Sequence, residues 1–87
     1  MEAKIIVVHL HYGDVVISHK HYVPERPIAG DILDLNDTTV LTAFTRKYVE
    51  THKVHPNDRE GKGAFNLWKV KKVVISGFLH AHCVKED

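Results

Sequence analysis

Apolar positions along this chain fall into short runs that alternate like strands at both ends and are ambiguous in the middle. Lys4 to Tyr12 holds Ile5, Ile6, Val7, Val8 and Leu10, a β-branched run suited to a buried strand. Gly13-Asp14 supplies turn chemistry, and Val15, Val16 and Ile17 resume the same composition, so residues 4 to 22 predict a β-hairpin. Pro24 and Pro27 each fix φ and remove an amide donor, which makes Val23 to Ile28 an extended connector or a sheet edge. After a turn at Gly30-Asp31, Ile32, Leu33 and Leu35 form a short strand ended by Asn36-Asp37, either a turn or the N-cap of a helix.

From Thr38 to Val54 two periods compete. Val40, Phe44 and Tyr48 recur every four residues with Leu41 beside them, the stripe of an amphipathic helix. Thr38, Thr39, Thr42, Thr45 and Thr51 are β-branched, and with Val49 and Val54 they favour a strand, narrowly the preferred reading. His55 to Gly63 is polar and turn-rich, and it predicts a mobile loop suited to function. From Phe65 to Ser76, Leu67, Lys69 and Lys71 alternate with Trp68, Val70 and Lys72, again a strand. Gly77 marks a bulge or bend before a last strand over Phe78 to Val84. The predicted fold class is therefore all-β, a small antiparallel barrel or sandwich of about six short strands. The alternative is α+β with a helix near residues 38–52.

Length and composition narrow the class of protein. A chain of 87 residues is a single domain, and 44% hydrophobic with 26% charged residues is globular composition. No apolar run approaches the ~20 residues of a membrane span, and Met1 to Lys4 has neither the basic start nor the cleavage site of a secretory signal. The single Cys83 allows no intramolecular disulfide. The expectation is a cytoplasmic protein without a membrane partner, small enough for homo-oligomer formation to bury leftover apolar surface.

Eight histidines stand outside ordinary composition, and they come as His9-x-His11, His19-x-His21, His52-x-x-His55 and His80-x-His82. Residues i and i+2 of a strand share a face, roughly 7 Å apart, so each His-x-His pair can present two imidazoles to one divalent metal such as Zn, Ni or Mn. The favoured candidates are His19 and His21 with Glu25, followed by His80 and His82; Asp31 and Glu50 are further carboxylates. Register decides which pairs meet. A three-residue Tyr12-Gly13-Asp14 loop puts His9, His11, His19 and His21 on one face, and a two-residue Gly13-Asp14 loop puts the two pairs on opposite faces. Surface, core or interface roles are the ordinary alternative for strand histidines, and clustered imidazoles would also repel one another on protonation.

Gly13, five residues, His19-Lys20-His21, three residues, Glu25 and then Gly30 resembles the first metal-binding motif of the cupin family over eighteen residues. That resemblance implies a jelly roll whose two histidines and glutamate ligate a metal. The closing glycine comes two residues early, Pro24 and Pro27 interrupt the strand, and the second motif is missing. Arg26 to Leu35 separately resembles the Pro-x-x-Gly-Asp lead-in to a strand seen in several unrelated small barrels.

No enzyme signature rises above background. His82 and Cys83 are strand neighbours on opposite faces, Ser18 and Ser76 lack a nucleophile elbow, and Gly61-Lys62-Gly63 lacks the rest of a phosphate loop. Charge is segregated: residues 1–37 carry three Lys/Arg against six Asp/Glu, and residues 38–75 carry eight against three. Arg46, Lys47, Arg59, Lys62, Lys69, Lys71 and Lys72 with Trp68 suit a contact surface for a protein partner or for single-stranded nucleic acid. A solvated, aggregation-resistant sheet face is the ordinary reading of the same lysines. The favoured function is a small non-catalytic binding or regulatory module acting through protein–protein contacts, of the accessory kind carried by phages and mobile elements, requiring no cofactor. A histidine-based metal protein and a nucleic-acid binder are the alternatives.

Overall fold

The computed structural model describes residues 4–36, 38–60 and 65–86. Strand β1 spans Lys4–Tyr12 and strand β2 spans Val15–Val23, paired antiparallel from Tyr12↔Val15 to Lys4↔Val23. The hairpin predicted from local alternation is therefore present. Gly13 has φ 61 and Asp14 is not left-handed, the pattern of a type II′ turn, which places glycine first. This two-residue loop fixes the register. Ile6, Val8 and Leu10 share one face with His21, His19 and Ile17, while His9 and His11 share the other with Ser18 and Val16.

Three further strands complete the sheet: β3 (Ile32–Asp34), β4 (Leu67–Ser76) and β5 (Phe78–Lys85). Their order is β2-β1-β5-β4-β3, and β1 and β5 run parallel while every other pair is antiparallel. The sheet is a curled, mixed half-barrel of five strands. This corrects the antiparallel six-strand barrel or sandwich expected from the sequence. The sixth expected strand is a helix, and the return to β5 lies beside β1 instead of closing an antiparallel meander.

Helix α1 spans Thr39–His52. Its N-cap, Thr38, is extended (φ −108, ψ 159), and its hydroxyl accepts from the Leu41 amide at 3.2 Å. At the other end Lys53 is left-handed (φ 63) and its amide reaches Val49 O at 2.8 Å. The stripe Val40, Phe44 and Tyr48 is buried against the sheet, and the helical period overrides the threonine-rich composition. A threonine costs a helix only a few tenths of a kcal/mol, whereas burying a side chain the size of Phe44 contributes about 2 kcal/mol. Thr42 and Thr51 also donate their hydroxyls to carbonyls four residues back, Thr38 O and Lys47 O.

The segment expected to be a loop contains a second short helix, α2 (Pro56–Glu60), with proline at its first position, where no amide donor is needed. The Tyr48 hydroxyl donates to Glu60 Oε1 at 2.6 Å and ties α2 to α1. The rest of that expected loop, residues 61–63 including Lys62, lies outside the described residues. Gly77 (φ 72) is the turn itself, since Ser76 and Phe78 face each other across it. The bulge lies in β4, where the register shifts between Val70 and Lys72.

Core side chains come from one face of the sheet and from α1. Ile6, Val8, Leu10, Val15, Val70, Ala81 and Cys83 meet Val40, Phe44 and Tyr48, with Leu35, Phe65 and Trp68 filling between. Phe44 lies 5.0 Å from Trp68 and 5.8 Å from Phe65, ring centre to ring centre. The Trp68 indole N–H donates to Phe65 O at 2.7 Å, so the buried donor is satisfied.

Candidate functional site

Because α1 covers one face of the sheet, function has to be sought on the other. Pairing carries the alternation across the strands into rows: Ser18, His9, His82 and Lys72 in one, and Val16, His11, Val84, Lys69 and Ile32 in the next. A third row is Lys20, Val7, His80 and Val74. Four histidines therefore meet at the centre of the uncovered face, brought together by the parallel β1/β5 ladder.

Their contacts are specific. His9 Nε2 lies 2.9 Å from His80 Nδ1, and His11 Nε2 lies 3.1 Å from His82 Nδ1, so each β1 imidazole reaches the β5 imidazole one step diagonally. His9 and His82 stack between these bonds, with centroids 4.5 Å apart and planes within 11°. Two outer contacts fix the hydrogens of the first pair. His80 Nε2 is 3.1 Å from Ser76 O, a carbonyl that only accepts, so this nitrogen carries the hydrogen. In a neutral ring His80 Nδ1 is then bare and accepts from His9 Nε2–H. His9 Nδ1 is bare in turn and accepts from the Ser18 hydroxyl at 2.6 Å. A directed chain runs from Ser18 through His9 and His80 to Ser76.

Burial, and after it the positive fields of His82, His80 and His11, hold His9 below the ordinary histidine range. Burial acts first on His82 as well, followed by Lys72, His11 and His80. Both causes disfavour the imidazolium.

The other predicted residues lie elsewhere. The two-residue turn sends His19 and His21 to the helix-facing side of β2, away from His9 and His11. His19 borders a depression with Thr39, Thr42 and Arg46 of α1. His21 lines a separate cleft of about 520 Å³ with Glu25 and Asp31, and burial, then His19, lowers its pKa. Asp31 Oδ2 there accepts the Ile28 amide at 2.9 Å. Among the described residues no group of three or more His, Cys, Asp or Glu side chains is arranged to hold a metal ion. Ring lone pairs lie in the ring plane, so the near-parallel rings of His9 and His82 direct theirs past one another and not to a common point.

The expected basic aromatic surface is divided. Trp68 is 0% exposed and unavailable to a partner, as are Phe44 and Tyr48. Arg46, Lys47 and Arg59 are exposed on the helices, Lys71 stands at the bulge, and Lys69 and Lys72 point to the uncovered face. Cys83 is buried opposite that face, and burial pushes its thiol up to about 11, the behaviour of an inert core cysteine. Ser18 sits on a regular strand with no strained turn to project it.

Sequence reasoning missed His9 and His11 as partners of His80 and His82. The signal was present in His9-Leu10-His11 and His80-Ala81-His82, two strands that alternate histidine with a buried residue. No helix among the described residues is long and apolar enough to cross a membrane. Comparison with protein-family models, with curated proteins and with solved structures returned no match to this chain.

Proposed function

We propose that this protein is a small non-catalytic binding module acting through protein–protein contacts, and that its docking surface is the uncovered face of the sheet. The observation that carries this reading is the composition of that face. Ile5, Val16, Tyr22, Val74 and Phe78 are between 37% and 66% exposed on it, an apolar grouping of the kind that marks contact sites in small domains. Lys20, Lys69 and Lys72 stand among them, and Asp34, among the described residues the one strand carboxylate on the same face, is engaged by Asn66 Nδ2 and the Asn36 amide. Charge complementarity selects an acidic partner with apolar side chains of its own. Nucleic acid fits less well, because Trp68, Phe44 and Tyr48 are in the core, and the exposed Tyr22 and Phe78 are the aromatics left on this face to stack bases. A phage or mobile-element accessory protein would act in this way, by occupying a surface of another protein.

Selection of a displayed random-peptide library on the immobilised protein tests the reading. Enriched sequences are expected to combine Asp or Glu with apolar residues and to lose at least tenfold in affinity for a Phe78→Glu variant, since interface anchors commonly carry more than 1.4 kcal/mol. No enrichment, or equal binding to that variant, would overturn it.

A further inference from the structure

We infer that the His9/His11/His80/His82 array makes docking on this face proton-coupled, so that an acidic protein partner binds more tightly as the pH falls through the histidine range. This rests on the docking reading above and adds its regulation.

Each N···N contact, His9 to His80 at 2.9 Å and His11 to His82 at 3.1 Å, needs one nitrogen that carries hydrogen and one that is bare. One proton per pair is compatible with this. In the first pair it enters at His9 Nδ1, where the Ser18 hydroxyl, 2.6 Å away, turns from donor to acceptor. His9 Nε2–H then donates to His80 as a charge-assisted bond. A second proton would have to sit on His80 Nδ1, directly facing His9 Nε2–H, which the contact geometry opposes. The first pair can thus take up one positive charge without losing its geometry.

Groups around the array set the sign. Lys72 stands beside His82 on β4, and Lys69 lies in the row of His11; from β2 come Lys20, in the row of His80, and the neutral Ser18 beside His9. Asp34, the carboxylate of this face, lies on β3 at the far edge. α1 and α2 pack on the opposite face. Among the described residues, the charged groups that act on His9 and His82 all oppose protonation. An acidic partner reverses that field, and linkage is reciprocal: what the partner does for the proton, the proton does for the partner. A second copy of this chain presenting the same face would have the opposite sign and dissociate on acidification.

The experiment uses the tightest acidic peptide from the selection, titrated calorimetrically at pH 7.5, 6.5 and 5.5 and constant ionic strength. The expected result is a gain on the order of tenfold in affinity across that range, with proton uptake on binding. The expected gain is lost in a His9→Gln/His82→Gln variant, whatever that variant's affinity at pH 7.5. Binding with a flat profile, a gain that survives in the variant, or weakening on acidification would each overturn the inference while leaving a docking face. No binding at any pH would remove both. A readout on the free protein is independent of any partner: nitrogen-detected imidazole NMR at pH 7.5 should show His9 and His80 both protonated at Nε2. The opposite tautomer at either ring would overturn the array.

Discussion

His9 and His82 are held below the usual histidine pKa of 6.5 in the folded protein, by burial first and by neighbouring positive groups second. The unfolded chain therefore binds protons at these positions more readily than the native one. Their contribution to stability is complete above about pH 6.5 and is lost as the pH falls through the lowered native values. His21, lowered by burial and by His19, acts in the same direction. Thermal unfolding at pH 7.5 and 5.0 should accordingly show a fall in Tm, and the His9→Gln/His82→Gln variant should fall less while keeping the part due to His21. An equal fall in both proteins would show that the array is not the source. At this scale the sequence was informative about residue type and poor about neighbourhood. The histidine excess and the opposed faces of His82 and Cys83 were legible in it. The contacts of His9 with His80 and of His11 with His82, each across 71 residues, were not.

Elements defined by local alternation were read nearly to their ends, because a two-residue period with a glycine turn needs no tertiary information. The helix α1 was harder, since its composition and its period point in different directions and packing decides between them. A direct consequence is that the stripe should dominate its energetics. Phe44→Ala, at a fully buried position touching Trp68 and Phe65, should cost about 3–5 kcal/mol in denaturant unfolding. Thr39→Ala, at an exposed position, should change stability by no more than about 0.5 kcal/mol and in the stabilising direction. Similar losses at both sites would mean that the helix is held by propensity and not by burial. The bulge in β4 was equally invisible in the sequence. Simple alternation puts Lys72 with Trp68 and Val70, and the extra residue at Lys71 moves it to the opposite face, beside His82.

Across the whole molecule the sheet separates two kinds of work, one face committed to the core with α1 and the other left to solvent. The sequence carried the amount of apolar surface but not its division between faces, which depends on strand order, and the order β2-β1-β5-β4-β3 has no local signature. Charge segregation along the chain was likewise legible, yet folding redistributes it: Arg46 and Lys47 go to the helix side, Lys69 and Lys72 to the bare side. The parallel pairing of β1 with β5 also sets the order in which the molecule can be assembled. The hairpins β1/β2 and β4/β5 close over short loops and can form early, whereas joining them requires nearly the whole chain to be gathered first. The histidine array exists only after that last event, so a partly unfolded chain has every one of its residues and no site. Stopped-flow refolding with imidazole-sensitive detection should show the array appearing with the slowest phase, and any chain that has the array has joined its two hairpins.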